Sequence, residues 1–160
     1  MARAVSLKAV TADNWEAVVD LELTPEQTDM VANNCYSLAE SKFDPDARPR
    51  AIYAGKRIVG FLMYEVVADE RPSLTASIYR FMIDRRHQGK GYGRAALAEV
   101  LKEIQSISGV QKVSICYLAS NHQAKQFYAN FGFREVGHDR DGETIAELNI
   151  SACDTVKRNL

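Results

Sequence analysis

The sequence has few of the features that mark secreted, metal-binding or membrane-spanning proteins. Its 160 residues include only three cysteines, Cys35, Cys116 and Cys153. Their odd number and wide spacing exclude a disulfide framework and a paired-cysteine metal motif. No apolar run approaches the roughly 18 residues that a membrane-spanning helix needs, and the N-terminus lacks the apolar core of a signal peptide. We therefore expect a cytoplasmic protein whose cysteines are reduced, buried thiols.

Charge is divided unevenly along the chain. Residues 10–47 contain nine acidic side chains and one basic one, whereas the remainder contains 12 acidic and 19 basic ones, for a net charge of −1. Such a division can create one surface that attracts a cation and another that attracts an anion. The alternative is that the acidic stretch is only the solvated side of two helices. Because the net charge is slightly negative and no basic stripe carries aromatic residues, nucleic-acid binding is not expected.

Apolar periodicity and turn residues predict elements in the order β-α-α-β-β-β-α-β-α-β-β. The second predicted helix runs unbroken from about residue 25 to about residue 40, with Met30, Val31 and Leu38 facing inward. Later segments predict strands over 51–53, 58–67, 74–83, 110–118, 133–136 and 143–150, a turn at 71–73, and helices over 91–107 and 121–131. This order predicts one domain over residues 1–150, with a mixed α/β sheet and helices on both faces, followed by a polar tail over 151–160.

Three glycines at alternate positions in RRHQGKGYGRAAL, residues 85–97, precede the predicted third helix. Without Cβ atoms, such a turn lets an anion approach the backbone N–H groups, and the helix adds the positive end of its dipole. The basic side chains around it are Arg85, Arg86, Lys90 and Arg94. The stretch predicts a phosphate or pyrophosphate site, although a flexible surface turn is the alternative. It contains neither GxxxxGK(S/T) nor GxGxxG, which excludes a Walker loop and a dinucleotide fingerprint.

Two motifs carry a resemblance to a known family. Residues 88–93 fit (R/Q)-x-x-G-x-(G/A), the pyrophosphate loop of the GNAT superfamily of N-acetyltransferases, and NHQAKQFYANFGF at 121–133 is similar to its N-x-x-A-x-x-x-Y…G-F segment. Within the superfamily, residues 7–14, 60–64 and 79–93 resemble the bacterial spermine/spermidine N-acetyltransferases. The resemblance implies a single GNAT-like α/β domain with a mixed, mostly antiparallel central sheet of about six or seven strands.

This resemblance implies that the chain transfers an acetyl group from acetyl-CoA to a primary amine by direct attack on the thioester. It assigns Tyr128 as the general acid for the departing thiolate, since a phenol can donate a proton. No metal is implied, and no pair of histidines has metal-ligand spacing. The residues that match the family's CoA-binding positions are Phe81, Met82, Ile83, Gln88, Gly89, Lys90, Gly91, Tyr92, Gly93, Arg94 and Asn121.

The family pattern does not identify the general base. Several family members carry a glutamate eleven residues before the loop's first glutamine, but this chain has Ser77 there, which cannot serve. Glu65 is our candidate base. A water chain or a backbone carbonyl remains an alternative, and the other acids considered are Glu22, Glu26, Asp69 and Asp84. Glu22 and Glu26 are also our candidates for binding the amine.

A polyamine, spermine or spermidine, is the acceptor that this subfamily resemblance favours, and the acidic stretch would suit its positive charges. One alternative is the same chemistry on an aminoglycoside, an amino acid, or a protein N-terminus or lysine. The other is an acyl-CoA-binding regulatory module that does no transfer. The resemblance also implies a homodimer, and neither nucleic acid nor membrane is expected as a partner.

Overall fold

A computed structural model describes residues 4–68 and 73–150 of the chain. The elements in chain order are β1 (Ser6–Ala9), α1 (Trp15–Val19), a 3-10 helix (Pro25–Gln27), α2 (Asn34–Glu40), β2 (Arg48–Ala54), β3 (Arg57–Ala68), β4 (Leu74–Ile83), α3 (Tyr92–Gln105), β5 (Val110–Tyr117), α4 (His122–Ala129), β6 (Arg134–His138) and β7 (Thr144–Asn149). Apart from the added 3-10 helix, this is the predicted order.

All seven strands belong to one sheet, in the spatial order β1-β2-β3-β4-β5-β7-β6. Only β4 and β5 pair in parallel, and every other neighbouring pair is antiparallel. The parallel pair needs a long crossover, which α3 supplies. The prediction of a mixed, mostly antiparallel α/β sheet in a single domain is therefore confirmed.

Hydrophobic side chains pack on both faces of the sheet. Successive residues of a strand point to opposite faces, so Leu62 packs in one cluster with Leu97 of α3, while Phe61 packs in the other with Val18 of α1. The first cluster also holds Tyr128 of α4. Helices therefore cover both faces, as predicted.

The middle of the sheet opens where β4 and β5 part. Their ladder ends at the pair Ile78↔Ile115, whereas β4 continues to Ile83 beside β3. At the same point β4 contains a bulge, because its register with β3 passes from Ile78↔Tyr64 to Arg80↔Met63 and leaves Tyr79 unmatched. A bulge bends a strand and increases its local twist. Beyond Ile78, the edge of β4 on the side of β5 therefore has no neighbouring strand paired to it within the described residues. We call this stretch the unladdered edge of β4.

The prediction of one helix over about residues 25–40 is wrong. The capping box of Thr24 and Gln27 closes only a 3-10 turn, and α2 begins again after Asn33, whose side chain accepts a hydrogen bond from the Tyr36 N–H. Two N-terminal caps in one stretch start two short helices. Met30, in the intervening segment, is 39% exposed and not inward as predicted. Val31 and Leu38 do pack against the core.

The cysteines are less buried than predicted. Cys35 is exposed and Cys116 is partly buried. Cys153, Asp69, most of the predicted turn at 71–73 and the predicted tail at 151–160 lie outside the described residues. Within the described ranges, no helix combines the length and apolar character that crossing a membrane would take.

Candidate active site

The parting of β4 and β5 forms a cleft of about 410 Å³. Its walls come from β4, the loop of residues 88–93 that we call the glycine loop, α4, and the segment between the 3-10 helix and α2. The predicted site residues that line the cleft are Phe81, Met82, Ile83, Gln88, Gly89, Gly91, Tyr92, Gly93, Arg94, Asn121 and Tyr128. Lys90 is not among them, because its Nζ donates to the Arg86 carbonyl oxygen at 2.7 Å.

The glycine loop has a backbone that glycine adopts far more readily than other residues. Gly89 and Gly91 have φ angles of 69° and 84°, and a Cβ atom added to either would meet no atom within 4 Å. Gly91 is also the N-cap of α3, whose first-turn N–H groups have no partner within the helix. These donors, the helix dipole and the open space beside the two glycines together suit a phosphate group.

Side-chain hydrogen bonds hold the glycine loop in place. The Gln88 Nε2 donates to the Ile83 carbonyl oxygen at 2.9 Å and to the Gln27 Oε1 at 2.8 Å. The predicted cofactor residue Gln88 therefore uses its amide to join the end of β4 to the 3-10 helix.

The buried carboxylate of Asp84 makes a similar connection, from the end of β4 to the segment just before the 3-10 helix. Its side chain is fully buried and accepts hydrogen bonds from the Glu22 N–H at 3.0 Å and from the Arg86 Nε at 2.8 Å. Burial alone would raise the pKa of Asp84, but the hydrogen bonds from Arg86 and Glu22 lower it to about 2. Because the carboxylate is ionised and occupied, Asp84 is a positioning residue of the loop.

The α4 side of the cleft contains the two candidates from the second motif. Asn121 caps α4, since its Oδ1 accepts from the Ala124 N–H at 3.0 Å, and its Nδ2 contacts the Met30 sulfur at 3.5 Å. Tyr128 is 8% exposed and its ring stacks on Tyr117 with 5.8 Å between centroids. Burial raises the pKa of the Tyr128 phenol above its usual range, and Tyr117 adds to the shift. At neutral pH, Tyr128 is therefore a proton donor only.

A second cavity of about 420 Å³ adjoins the cleft, and we call it the acceptor-side cavity. Met30, Val31, Tyr79 and Cys116 line both spaces, which therefore adjoin one another. Asp29 and Glu143 are the acidic residues that line this cavity. Sequence reasoning missed Glu143 and Cys116. The only available signal was an acidic residue directly after the turn that precedes β7.

Glu143 lies in an environment that disfavours its charged form. Burial raises the pKa of Glu143, and the nearby carboxylates of Asp139 and Asp141 raise it further, against the opposing effect of Arg80. The Cys116 Sγ and a carboxylate oxygen from each of Asp139 and Glu143 all lie within 4.8 Å of one another. A cation that enters this space would meet partly buried oxygen and sulfur atoms.

Glu65 lies near the cleft residue Tyr79, whose pKa burial and then the Glu65 carboxylate raise to about 12. Glu65 lines neither the cleft nor the acceptor-side cavity, and burial followed by the carboxylates of Asp44, Asp46 and Glu40 raises its pKa. Its assignment as the base stays a prediction that this placement does not favour.

Of the two predicted amine-binding residues, Glu22 lines a third cavity, of about 760 Å³ between α1 and α2, that shares Leu23, Val31 and Met82 with the cleft. The Glu22 carboxylate pairs with the Arg85 guanidinium at 2.6 Å. Glu26 is exposed, and hydrogen bonds from its own backbone N–H and the Thr24 hydroxyl lower its pKa. Neither residue lines the cleft, so their role in binding the amine stays a prediction.

Comparison with known proteins gives consistent matches. The family model described as "Acetyltransferase (GNAT) family" matches residues 9–133. The spermine/spermidine N(1)-acetyltransferase of Bacillus subtilis (strain 168) is 28% identical over 145 residues, which cover 88% of this chain and 95% of that protein.

Solved structures share the fold at lower identity. The ribosomal-protein-S18-alanine N-acetyltransferase from Escherichia coli has a TM-score of 0.70 at 20% identity, and the match covers 98% of each chain. The spermidine N-acetyltransferase from Vibrio cholerae, in complex with CoA and spermine, has a TM-score of 0.69 at 17% identity, and the match covers 91% of this chain and 94% of that one.

Proposed function

Since the chain belongs to the acetyltransferase (GNAT) family and is an acetyl-CoA-dependent N-acetyltransferase, we propose that its acceptor is a primary amine of a polyamine, spermine or spermidine. The observation that carries this proposal is that two unlike spaces adjoin one another. One is the cleft bounded by the glycine loop, and the other is a cavity whose lining includes the acidic residues Asp29 and Glu143. A polycationic amine matches the second space in charge.

Relatives support the same acceptor. The Bacillus subtilis protein matched along most of this chain is named for spermine and spermidine, and the relative from Bacillus subtilis subsp. natto, at 27% identity, is named a probable spermine N(1)-acetyltransferase. Identities below 30% leave room for changes in the acceptor contacts, so the assignment also needs the charge of the acceptor-side cavity.

We assign the CoA contacts as follows. The N–H groups of the glycine loop and the first turn of α3 bind the pyrophosphate, helped by the positive charges of Arg94 and Lys90. The unladdered edge of β4 at Phe81, Met82 and Ile83 pairs with the pantetheine arm, because this stretch has no ladder with β5 and an open strand edge can accept another strand. The Ile83 carbonyl oxygen takes no part, since it accepts from Gln88. A backbone N–H on this edge also suits the oxygen of the thioester as it gains charge.

The acceptor must lose a proton before it attacks, because an alkyl ammonium group has a pKa of about 10.4. Departure of the CoA thiolate is easier, since an ordinary thiol has a pKa of about 8.5. We assign Tyr128 as the donor that protonates the sulfur. Its place on the cleft wall supports this role, and its raised pKa keeps the proton on the phenol until the sulfur gains charge.

A thiol-release assay with acetyl-CoA tests the acceptor. The panel contains spermine, spermidine, a lysine peptide, a peptide with a free N-terminus and an aminoglycoside, with mass spectrometry of each product. We expect kcat/KM to be highest for spermine or spermidine. A higher value for a peptide or the aminoglycoside would contradict the polyamine assignment while leaving the acetyltransferase activity intact. The homodimer that the resemblance implies stays a prediction for sedimentation analysis.

A further inference from the structure

We propose that Glu143 is the catalytic base, whose carboxylate receives the acceptor ammonium group in the acceptor-side cavity and removes its proton. This inference rests on the proposed function, because it needs an amine acceptor. It replaces Glu65 as our candidate for the base.

Glu143 lies next to the point where the sheet opens. It directly precedes Thr144, which pairs with Tyr117 across β7 and β5, and the Tyr117 ring stacks on Tyr128. The proposed base and the proposed acid are thus attached to one small region of the sheet. Cys116 lines both the cleft and the cavity that Glu143 lines.

The charges around Glu143 favour both capture of a cation and removal of its proton. Asp139 and Asp141 come from its own turn, Arg80 from β4, Cys116 from β5 and Asp29 from the opposite wall. The one cation among these groups is already engaged, because the Arg80 Nη2 pairs with the Glu40 carboxylate at 2.9 Å. Burial and the adjacent carboxylates raise the pKa of Glu143, which makes it a stronger base nearer neutral pH.

The position of Glu143 is held by its main chain. Its N–H donates to the Asp139 Oδ1 at 2.8 Å, and its carbonyl oxygen accepts from the Asp139 N–H at 2.9 Å. These bonds close the turn before β7 and do not involve the Glu143 carboxylate. A substitution that removes only the charge should therefore leave the turn intact.

The chemical step balances as follows. A proton moves from the ammonium nitrogen to the Glu143 carboxylate, and the freed lone pair forms a C–N bond with the thioester carbon. The C–S bond breaks as the sulfur takes a proton from Tyr128, and the second nitrogen proton returns to the Tyr128 oxygen. Glu143 then gives its proton to water, so each acetylation releases one proton.

The test compares Glu143→Gln with a matched control, Glu99→Gln, on the solvent side of α3, where Glu99 pairs with Lys102. For Glu143→Gln we expect kcat/KM for spermine to fall by roughly 100-fold, the usual scale of general-base catalysis. Affinity for CoA, measured by calorimetry, and the melting temperature should match the wild type. Glu99→Gln should leave all three quantities unchanged.

The pH profile separates a base from a structural residue. As pH falls through the raised pKa of Glu143, its carboxylate becomes protonated, so wild-type kcat/KM should fall on the acid side. Asp139→Asn keeps an oxygen for the turn but removes a neighbouring negative charge, which lowers the pKa of Glu143. We expect this variant to move the acid limb of the profile to lower pH.

Three results would overturn the inference. One is wild-type kcat/KM in Glu143→Gln at every pH. Another is a loss of activity accompanied by lost CoA affinity and a lower melting temperature, which would indicate a structural role. If the wild type acetylates none of the amines, the proposed function fails and this inference with it, whereas an active wild type and an equally active Glu143→Gln variant overturn only the inference.

Discussion

At the scale of single residues, chemical role depends on what surrounds a side chain. Tyr128 and Tyr117 stack in parallel, yet their hydroxyl groups differ in environment. The Tyr117 hydroxyl donates to the Glu135 carboxylate at 3.0 Å, whereas the Tyr128 ring packs edge-on against Phe133 and Phe127. The same residue type therefore makes a structural hydrogen bond at one position, and at the other it is our proposed proton donor.

Replacing Tyr128 with phenylalanine should keep the stacking and remove only the phenol. We expect kcat to fall by roughly 10- to 100-fold, at or below the lower end for acid–base catalysis, because a thiolate leaves fairly easily without help. KM for acetyl-CoA should change little. Steady-state thiol release measures both quantities.

The matched control for Tyr128→Phe is Tyr117→Phe, which loses its hydroxyl from the same aromatic stack. Tyr117→Phe should keep most of the wild-type kcat. If both variants lost activity equally, the effect would belong to the stack as a whole, and Tyr128 would not be the specific proton donor.

At the scale of elements, the glycine loop and α3 form one unit. Gly91 ends the loop in a left-handed conformation and caps the helix. Gly93, the second residue of α3, lies close to Ile83 of β4 and Phe127 of α4. The loop that would hold a phosphate is therefore attached on both sides to the strands and helices that bound the cleft.

We predict that Gly91→Ala weakens CoA binding about tenfold, equivalent to about 1.4 kcal/mol. The substitution forces a side chain into the left-handed region, which costs roughly 1–2 kcal/mol, and places a methyl group in the open space beside the donors. Calorimetric titration with CoA measures the change.

Gly137→Ala is the control for Gly91→Ala, since a Cβ at Gly137 also meets open space but needs no left-handed backbone. It should bind CoA as the wild type does. Unchanged affinity in Gly91→Ala would mean that the loop backbone does not contact the pyrophosphate.

At the scale of the whole molecule, hydrogen bonds to Asp84 connect the acidic stretch, residues 10–47, to the arginines that precede the glycine loop. The Arg85 N–H donates to the Glu22 carbonyl oxygen at 2.7 Å, beside the bonds that Asp84 accepts. Within the acidic stretch, Glu22 pairs with Arg85, which precedes the glycine loop, whereas Asp29 lines the acceptor-side cavity together with Glu143, which lies outside that stretch.

Asp84→Asn should lower the free energy of unfolding by roughly 2 kcal/mol at pH 7. The pKa of Asp84 is about 2 in the folded protein and about 3.9 in an unfolded chain. The contribution of the Asp84 carboxylate to the free energy of unfolding is therefore complete above about pH 4 and is lost as the pH falls toward 2. Urea denaturation at several pH values should show the difference from the wild type shrinking below pH 4.

The control for Asp84→Asn is Asp13→Asn, at an exposed position. It should change the unfolding free energy by less than about 0.5 kcal/mol, as surface substitutions usually do. A deficit in Asp84→Asn that stayed constant down to pH 2 would mean that the carboxylate's charge is not what stabilises the fold.

Local patterns predicted the elements whose signals are local. The predicted strand over 74–83 coincides with β4, and the helix after the glycines begins within one residue of its predicted start. The prediction of one continuous second helix is wrong because Asn33 caps the start of a new helix. Apolar periodicity alone does not detect such a cap. The prediction that Met30 faces inward is also wrong, because an apolar residue beside an open cleft need not face the core.

The sequence by itself determined the family, the cosubstrate and the order of the elements, because a phosphate loop is a short run of residues whose backbone acts locally. Only the tertiary structure decided which acids share a space with the cleft. Glu65, Glu22 and Glu143 look alike in a sequence, and their separation depends on strand register and on the opening between β4 and β5. Those contacts join residues far apart in the chain, so no local pattern could rank them.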